Sequence, residues 1–271
     1  MRDLLLQHAQ EAAHQAHPRL DDQSLATMCV AVQMGVLERL TPDEAWSTLA
    51  SGLMAPYPAH FLEALRACGG LKRFLPEVDA LFGVPQLCDG PETIDVGLHQ
   101  LRVVNETARA EAPLDVRFAA LMHKIGMGGT LRDIWPSHYK HEQRAQTLLD
   151  GLTLRMHIPA DALDLARLVA DECDRVHRAS DMRAGAITSM LERLDAPARP
   201  ARFERLLQVC TCDYAAYPGH TPADYPKAPR LRRALAAYRA TDVNGLDEDA
   251  ALTARAQAVA RALRSQERLS S

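Results

Sequence analysis

The chain has 271 residues, a net charge of −4 with neutral histidines, 47% apolar residues and 24% charged residues. This ordinary globular composition excludes disorder and fibrous repeats, and the charge excludes a global positive field that draws the whole molecule onto nucleic acid. No run approaches 18 consecutive apolar residues, which excludes a membrane span. Six cysteines without a CxxC pair, and an N-terminus without a long apolar run, predict a reduced, cytoplasmic chain.

The spacing of apolar residues predicts an all-α fold. They recur every three or four positions, and aromatic residues make up only 5% of the chain. The run Thr41-Pro42-Asp43-Glu44 combines a capping hydroxyl, a proline at the first helical position and a carboxylate three residues after the cap, so a helix is predicted from Pro42. Further helices are predicted at about 59–68, 74–82, 95–110, 114–125, 137–151, 160–178, 183–195, 200–216, 228–240 and 247–268.

Gly, Pro and Asp concentrate in residues 83–94, between two periodic regions, and predict a domain boundary there. We therefore divide the chain into a helical neck or body segment (1–86), a helical domain (87–240) and a C-terminal helix (241–271). The prolines of 214–230 predict a surface loop. The acidic run 247–249 predicts the N-terminal turn of the last helix, where carboxylates suit the helix dipole.

Several predicted helices each carry one side chain that can bind a metal ion. These candidate ligands are His99, His123, His141, His177 and Asp213. Antiparallel helices can present them to a common centre, and imidazole and carboxylate groups suit zinc, iron or manganese. The alternative for any one histidine is a surface residue or a hydrogen-bonded core residue. His138 is predicted to be exposed, and Cys210 and Cys212 are predicted to be core thiols.

Five segments resemble the body and HD domain of the bacterial CCA-adding tRNA nucleotidyltransferases: LPEVDALFGVPQ (75–86), ETIDVGLHQLRVV (92–104), DVRFAALMHKIGMG (115–128), WPSHYKHEQRA (135–145) and RLDAPARPARFERLL (193–207). The family's connecting region is similar to LTPDEAWSTLASGLM (40–54) and EALRACGGLKRFLPE (63–77), so the resemblance covers about residues 22–240. It implies an HD-domain-like helical bundle behind an N-terminal helical neck, and it implies that the five candidate ligands belong to an HD site.

Two departures from the family pattern bear on function. The nucleotidyltransferase head, with its Gly-Ser turn and DxD carboxylates, has no counterpart, so this chain alone is predicted not to add CCA. The family signature His-Asp-x-Gly-Lys reads His123-Lys124-Ile125-Gly126-Met127, which puts Lys124 at the metal-binding aspartate. An ammonium about 4 Å from a divalent ion repels it by several kcal/mol.

The HD site is therefore predicted to be degenerate, with no catalytic residue assigned and no cofactor expected. Cys173 aligns with a further histidine of the family, so a softer thiolate stands at this position in place of an imidazole. A divalent metal still binds if Lys124 turns out to solvent or if burial neutralises it. The run Gly126-Met127-Gly128-Gly129 lacks the Lys-Ser/Thr end of a phosphate loop, so it is predicted to be a turn.

A basic region is the candidate contact for RNA. Residues 199–239 hold eight basic and three acidic side chains, a local excess of five positive charges. The candidate RNA-binding residues are Arg199, Arg202, Arg205, Lys227, Arg230, Arg232 and Arg233. Arginines spaced three apart on one helix face can contact successive phosphates. The alternative is a solvated helix face with internal salt bridges.

These observations favour a stand-alone binding module for tRNA or tRNA-like RNA, or for a separate protein partner. The main alternative is a metal-dependent HD phosphohydrolase acting on 2′,3′-cyclic phosphates or nucleotides. A third interpretation pairs the chain with a separately encoded head. No membrane partner is expected, and a homodimer is expected because loss of a covalent domain exposes the surface that it covered.

Overall fold

The computed structural model describes residues 1–18, 20–88 and 92–267. Those residues form fourteen α-helices and one two-stranded sheet, which confirms the all-α prediction. The helices are α1 (Arg2–Ala13), α2 (Asp22–Gln33), α3 (Pro42–Met54), α4 (Pro58–Ala67), α5 (Gly70–Phe74), α6 (Pro76–Asp79), α7 (Val96–Arg109), α8 (Leu114–Met122), α9 (His141–Thr153), α10 (Ala160–His177), α11 (Ala184–Arg193), α12 (Pro200–Ala215), α13 (Lys227–Arg239) and α14 (Glu248–Glu267). Within the described ranges, no helix is long and apolar enough to cross a membrane.

Local capping chemistry fixes two of the predicted helix starts. The Glu44 backbone N–H donates to Thr41 Oγ1 at 3.3 Å, and the Thr41 N–H donates back to Glu44 Oε2 at 2.9 Å. This reciprocal pair is a capping box, and it starts α3 at Pro42 as predicted. At the last helix, the Ala250 N–H donates to Asp247 Oδ1 at 2.8 Å, so the acidic run caps α14 as predicted.

A small hairpin lies within the predicted boundary region. Strands β1 (Pro85–Leu87) and β2 (Thr93–Asp95) pair antiparallel, with Gln86 opposite Ile94. The sequence predicts no strand here, because three residues are too few to show the two-residue alternation of a strand. The remainder of that region, residues 89–91, lies outside the described residues. Asp95 ends β2 and caps α7 by accepting from the Leu98 N–H at 2.8 Å.

The chain forms two compact units that alternate along the sequence. The first is Met1–Asp171 with Cys212–His220, and the second is Glu172–Thr211 with Thr221–Ser271. Both α10 and α12 contribute residues to each unit. The domain division at residues 86 and 240 rests on composition and stays a prediction. Compact units are defined by contacts between segments that lie far apart in the sequence, and composition does not contain that information.

In the first unit, α8 is the central element of the core. It packs against α3 and α7, and α7 packs in turn against α4. Every residue of α8 from Val116 to Met122 is buried, as in a helix surrounded on all sides. This stretch includes Arg117, which donates hydrogen bonds to the backbone oxygens of Leu53, Ala55 and Ala112. Arg117 thus supplies donors to carbonyls at or just after the C-terminal ends of α3 and α7.

The glycine-rich run after α8 is a tight turn, as predicted. Residues Ile125–Met127 form one turn of 3-10 helix, and α9 packs directly against it. A Cβ atom at Gly126 meets the backbone oxygen of His141 at 1.9 Å, so only glycine allows this approach. The start of α9 therefore lies close to the residues that follow α8.

In the second unit, α11, α13 and α14 pack against one another. Glu172 is buried and accepts hydrogen bonds from Arg175, at 2.8 Å, and from Arg193. The predicted surface loop 214–230 is shorter than expected, because α12 continues to Ala215 and α13 begins at Lys227. It is also not wholly exposed, since Tyr225 is buried within this unit.

Candidate functional site

Four buried side chains meet in the first unit, and we call them the lysine centre: His99, His123, Lys124 and Asp213. They come from α7, from the two residues that follow α8, and from the last turn of α12. Asp213 Oδ1 lies 2.8 Å from His99 Nε2, 3.1 Å from His123 Nε2 and 2.9 Å from Lys124 Nζ. Three nitrogen atoms thus converge on one carboxylate oxygen.

Lys124 points into this centre and is only 4% exposed. Its Nζ also lies 3.2 Å from Gln86 Oε1 and 3.3 Å from Tyr217 Oη, so each of its three N–H bonds has an acceptor. The Tyr217 ring lies 5.4 Å from Nζ and 4.3 Å from the His99 ring. Lys124 therefore does not turn out to solvent, which was one of the two conditions under which a metal could still bind, because the fold supplies a polar cage for the ammonium.

A backbone carbonyl orients the His123 ring. Its Nδ1 lies 2.7 Å from Ala120 O, and a carbonyl only accepts, so Nδ1 carries the hydrogen. Gln100 Nε2 donates to the same carbonyl at 2.8 Å and to Leu121 O at 3.0 Å, which holds the end of α8 in place. His123 Nε2 is left facing Asp213.

His99 is fully buried and electrically neutral at neutral pH. Burial and the nearby Lys124 ammonium lower the pKa of His99 from 6.5 to about 4, although Asp213 opposes the shift. The neutral ring donates its Nε2–H to Asp213 Oδ1. Its Nδ1 is then an acceptor, and this atom is buried with no hydrogen-bond partner in the part of the chain that the structure describes.

Two further histidines of the first unit, His138 and His141, have structural contacts. His138 is 2% exposed, so the prediction of an exposed residue is wrong. It lies 3.1 Å from Thr130 Oγ1 and 2.7 Å from the backbone oxygen of Pro85, and thereby ties the loop before α9 to the hairpin. His141 is also buried, and its Nδ1 donates to the backbone oxygen of His138 at 3.1 Å.

A second group, in the second unit, contains His177, and we call it the thiol cluster: Cys173, His177 and Cys210. Cys173 Sγ lies 3.3 Å from His177 Nε2 and 3.5 Å from Cys210 Sγ. The Cys210 thiol and burial raise the pKa of Cys173 well above its usual value. Cys210 and Cys212 are both buried, which confirms the prediction that they are core residues.

The predicted RNA-binding residues lie in the second unit, on α12, α13 and the residue before α12. Arg199, Arg205 and Arg232 are exposed, whereas Arg202, Lys227, Arg230 and Arg233 are half-buried. Arg232 Nε donates to both carboxylate oxygens of Glu204, at 3.0 and 2.9 Å. This pair is one of the internal salt bridges that the alternative interpretation predicted.

Sequence reasoning missed two residues of the polar cage, Gln86 and Tyr217. Gln86 is on β1, which the sequence did not predict, and Tyr217 follows the end of α12. Neither has a motif of its own. A buried lysine requires acceptors, so Lys124 in a metal-site position was the only sequence signal that such residues exist.

The fold and this centre define an all-helical protein whose buried histidine–carboxylate group includes a lysine. No family model matches the chain. It is 41% identical over 269 residues to a multifunctional CCA protein of Burkholderia cenocepacia, a match that takes in 96% of this chain and 65% of that protein. Multifunctional CCA proteins of Cupriavidus necator and Nitrosospira multiformis are each 41% identical, over 224 and 229 residues.

The chain is thus similar to multifunctional CCA proteins over nearly its whole length, and the resemblance predicted from its motifs is confirmed. It spans 65% or less of the length of these curated relatives.

Proposed function

We propose that this chain is an RNA-binding relative of the CCA-adding enzymes in which the HD site has become a structural centre. The observation that carries the proposal is the caged ammonium of Lys124, bonded to Asp213, Gln86 and Tyr217. The lysine supplies the positive charge that a metal ion supplies in an HD site.

The residues of the lysine centre do not fit a divalent ion. An ion held by Asp213 Oδ1 at about 2.1 Å lies no more than about 5 Å from Lys124 Nζ, since Nζ is 2.9 Å from that oxygen. At an effective dielectric constant of 20 the repulsion is about 7 kcal/mol. In addition, metal-bound histidines donate their second N–H to an acceptor, and His99 Nδ1 has no such partner among the described residues.

The first test measures manganese binding, because Mn²⁺ prefers oxygen and imidazole ligands over thiols. We expect the wild-type chain to leave added Mn²⁺ free in its electron paramagnetic resonance spectrum. Lys124→Asp restores the family aspartate and removes the repelling charge, so this variant is expected to bind one ion. Lys140→Asp, at an exposed lysine, is the matched control and should behave as wild type. Stoichiometric Mn²⁺ in the wild-type protein overturns the proposal.

The metal-dependent phosphohydrolase alternative has one observation in its favour. His123 donates Nδ1–H to Ala120 O and presents Nε2 to the centre, which is the orientation of a metal-ligating histidine. Hydrolysis of 2′,3′-cyclic nucleotides by the wild-type chain with Mn²⁺, Ni²⁺ or Co²⁺ would establish this alternative. We expect no turnover, because Lys124 excludes the ion.

RNA binding is supported by the basic side chains of the second unit and by the relationship to CCA proteins. Phosphate binding makes affinity fall with salt, and removal of one phosphate-binding side chain lowers that salt dependence. We expect Arg205→Glu to weaken binding of a tRNA transcript and to reduce the slope of log affinity against log salt by about one. Arg109→Glu, at an exposed arginine outside the basic region, is the control. Equal binding by wild type and both variants removes this interface.

A further inference from the structure

The thiol cluster is formed by two helices. Cys173 and His177 are four residues apart on α10 and therefore project from the same face of the helix. Cys210 faces them from α12. One ligand atom of each residue, the two Sγ atoms and one ring nitrogen of His177, lies within 4.8 Å of the other two.

These distances are close to those of a tetrahedral zinc site. Zinc–sulfur bonds of about 2.3 Å and zinc–nitrogen bonds of about 2.05 Å place two sulfurs about 3.8 Å apart and a sulfur and a nitrogen about 3.6 Å apart. The observed separations are 3.5 Å from Cys173 Sγ to Cys210 Sγ and 3.3 Å from Cys173 Sγ to His177 Nε2. Each of these two separations is about 0.3 Å shorter than the tetrahedral value.

Tyr225 orients the imidazole. Its Oη lies 2.9 Å from His177 Nδ1, and the phenol is 2% exposed. A histidine that binds metal through Nε2 carries its hydrogen on Nδ1, and here that hydrogen has the phenol oxygen as acceptor. Such a partner fixes the ring and its tautomer. His99 in the lysine centre has no equivalent among the described residues.

The charge of the thiol cluster favours a divalent metal ion. Cys173 and Cys210 are 3% and 0% exposed, and a buried site with a net charge is costly. A divalent ion bound by two thiolates and one neutral imidazole is neutral overall, whereas a monovalent ion leaves one negative charge. Thiolates also exclude magnesium and calcium, which prefer oxygen ligands.

We propose that Cys173, His177 and Cys210 form a zinc-binding site, with Tyr225 as a positioning residue. Binding displaces one proton from each thiol, so Zn²⁺ and two thiols give a neutral bis-thiolate complex and two protons. Three protein ligands leave one tetrahedral position for water or another small ligand.

The test uses Co²⁺ as a probe, since thiolate-to-cobalt charge-transfer absorption reports bound sulfur, and Cys210→Ser tells whether that band comes from the thiol cluster. The full chain is reduced, freed of metal and titrated with Co²⁺, and Zn²⁺ is then added to displace it. We expect one equivalent of Co²⁺ to give the thiolate band and one equivalent of Zn²⁺ to abolish it.

Cys173→Ser and Cys210→Ser are expected to lose the band, while Cys212→Ser, at a buried cysteine two residues away on α12, keeps it. Tyr225→Phe keeps the band but weakens Co²⁺ affinity by about 10- to 100-fold, as expected for loss of an outer partner. Circular dichroism verifies that each variant is folded, and His177→Gln provides a ligand variant that leaves both thiols intact.

Three results overturn the proposal: no thiolate band in the wild-type chain, a band that survives in Cys173→Ser and Cys210→Ser, or equal loss of the band in Cys212→Ser. Failure here leaves the Mn²⁺ test of the lysine centre unaffected.

Discussion

The lysine centre and the thiol cluster both place a histidine beside groups that can hold a metal ion, and they differ in where the positive charge comes from. In the first, Lys124 contributes an ammonium 2.9 Å from Asp213, so the charges are balanced by the chain itself. In the second, two thiols and an imidazole contain no cation. The lysine centre is therefore proposed to exclude a divalent ion, and the thiol cluster is proposed to bind one.

The largest expected effect is a loss of stability when the carboxylate that balances the Lys124 ammonium is removed. Asp213→Asn leaves the buried Lys124 ammonium without its carboxylate, and we expect the free energy of unfolding to fall by about 3–5 kcal/mol. Urea denaturation monitored by circular dichroism measures this. Asp224→Asn, at an exposed aspartate, should change stability by less than about 0.5 kcal/mol. A loss below about 1 kcal/mol at Asp213 contradicts a buried ion pair.

The second prediction uses pH to disturb the same centre. The folded pKa of His99 is about 4, below its usual 6.5, so the unfolded chain takes up a proton first as the pH falls. This contribution to stability is complete above pH 6.5 and is lost between pH 6.5 and 4, by up to about 3 kcal/mol.

Urea denaturation of the wild-type chain at several pH values tests this dependence. His99→Gln should flatten the curve over that interval, while His17→Gln, at an exposed histidine, should leave it unchanged. If wild type and His99→Gln have parallel curves, His99 is not the group responsible.

The third prediction concerns the thiol cluster. A ligand that binds only the folded chain stabilises it by about 2.7 kcal/mol at one hundred times its dissociation constant. We expect Zn²⁺ at that excess to raise the wild-type free energy of unfolding by this amount and to leave Cys210→Ser unchanged. Thermal or urea unfolding with and without a chelator provides the measurement. Equal stabilisation of both proteins places the zinc elsewhere.

The smallest expected effect comes from Tyr217, one of the three acceptors around the Lys124 ammonium. Tyr217→Phe removes an acceptor from Lys124 but leaves Asp213 and Gln86, so we expect a loss of about 1.5 kcal/mol. Tyr139→Phe, at a side chain 68% exposed, serves as the control and should be near zero. Equal stability of Tyr217→Phe and wild type shows that the phenol does not bind the ammonium.

The helical fold was predictable because its signals are local. The spacing of apolar residues and the capping box at Thr41 act within one or two turns, and they set the start of α3 correctly. The hairpin at 85–95 was missed because its strands have three residues each. His138 was judged from its loop position, but contacts with Pro85 and Thr130, which lie elsewhere in the chain, bury it.

The sequence by itself determined the helices and the similarity to the CCA proteins, and it predicted that a lysine stands where the HD signature of the family has an aspartate. Only the tertiary structure decided what that lysine does, because its acceptors come from β1, α12 and the residues after α12. It also brought Cys210 to Cys173 and His177 across 37 residues of chain. Helix periodicity is a property of neighbouring residues, whereas a charge is stabilised or excluded by whichever distant groups the packing places around it.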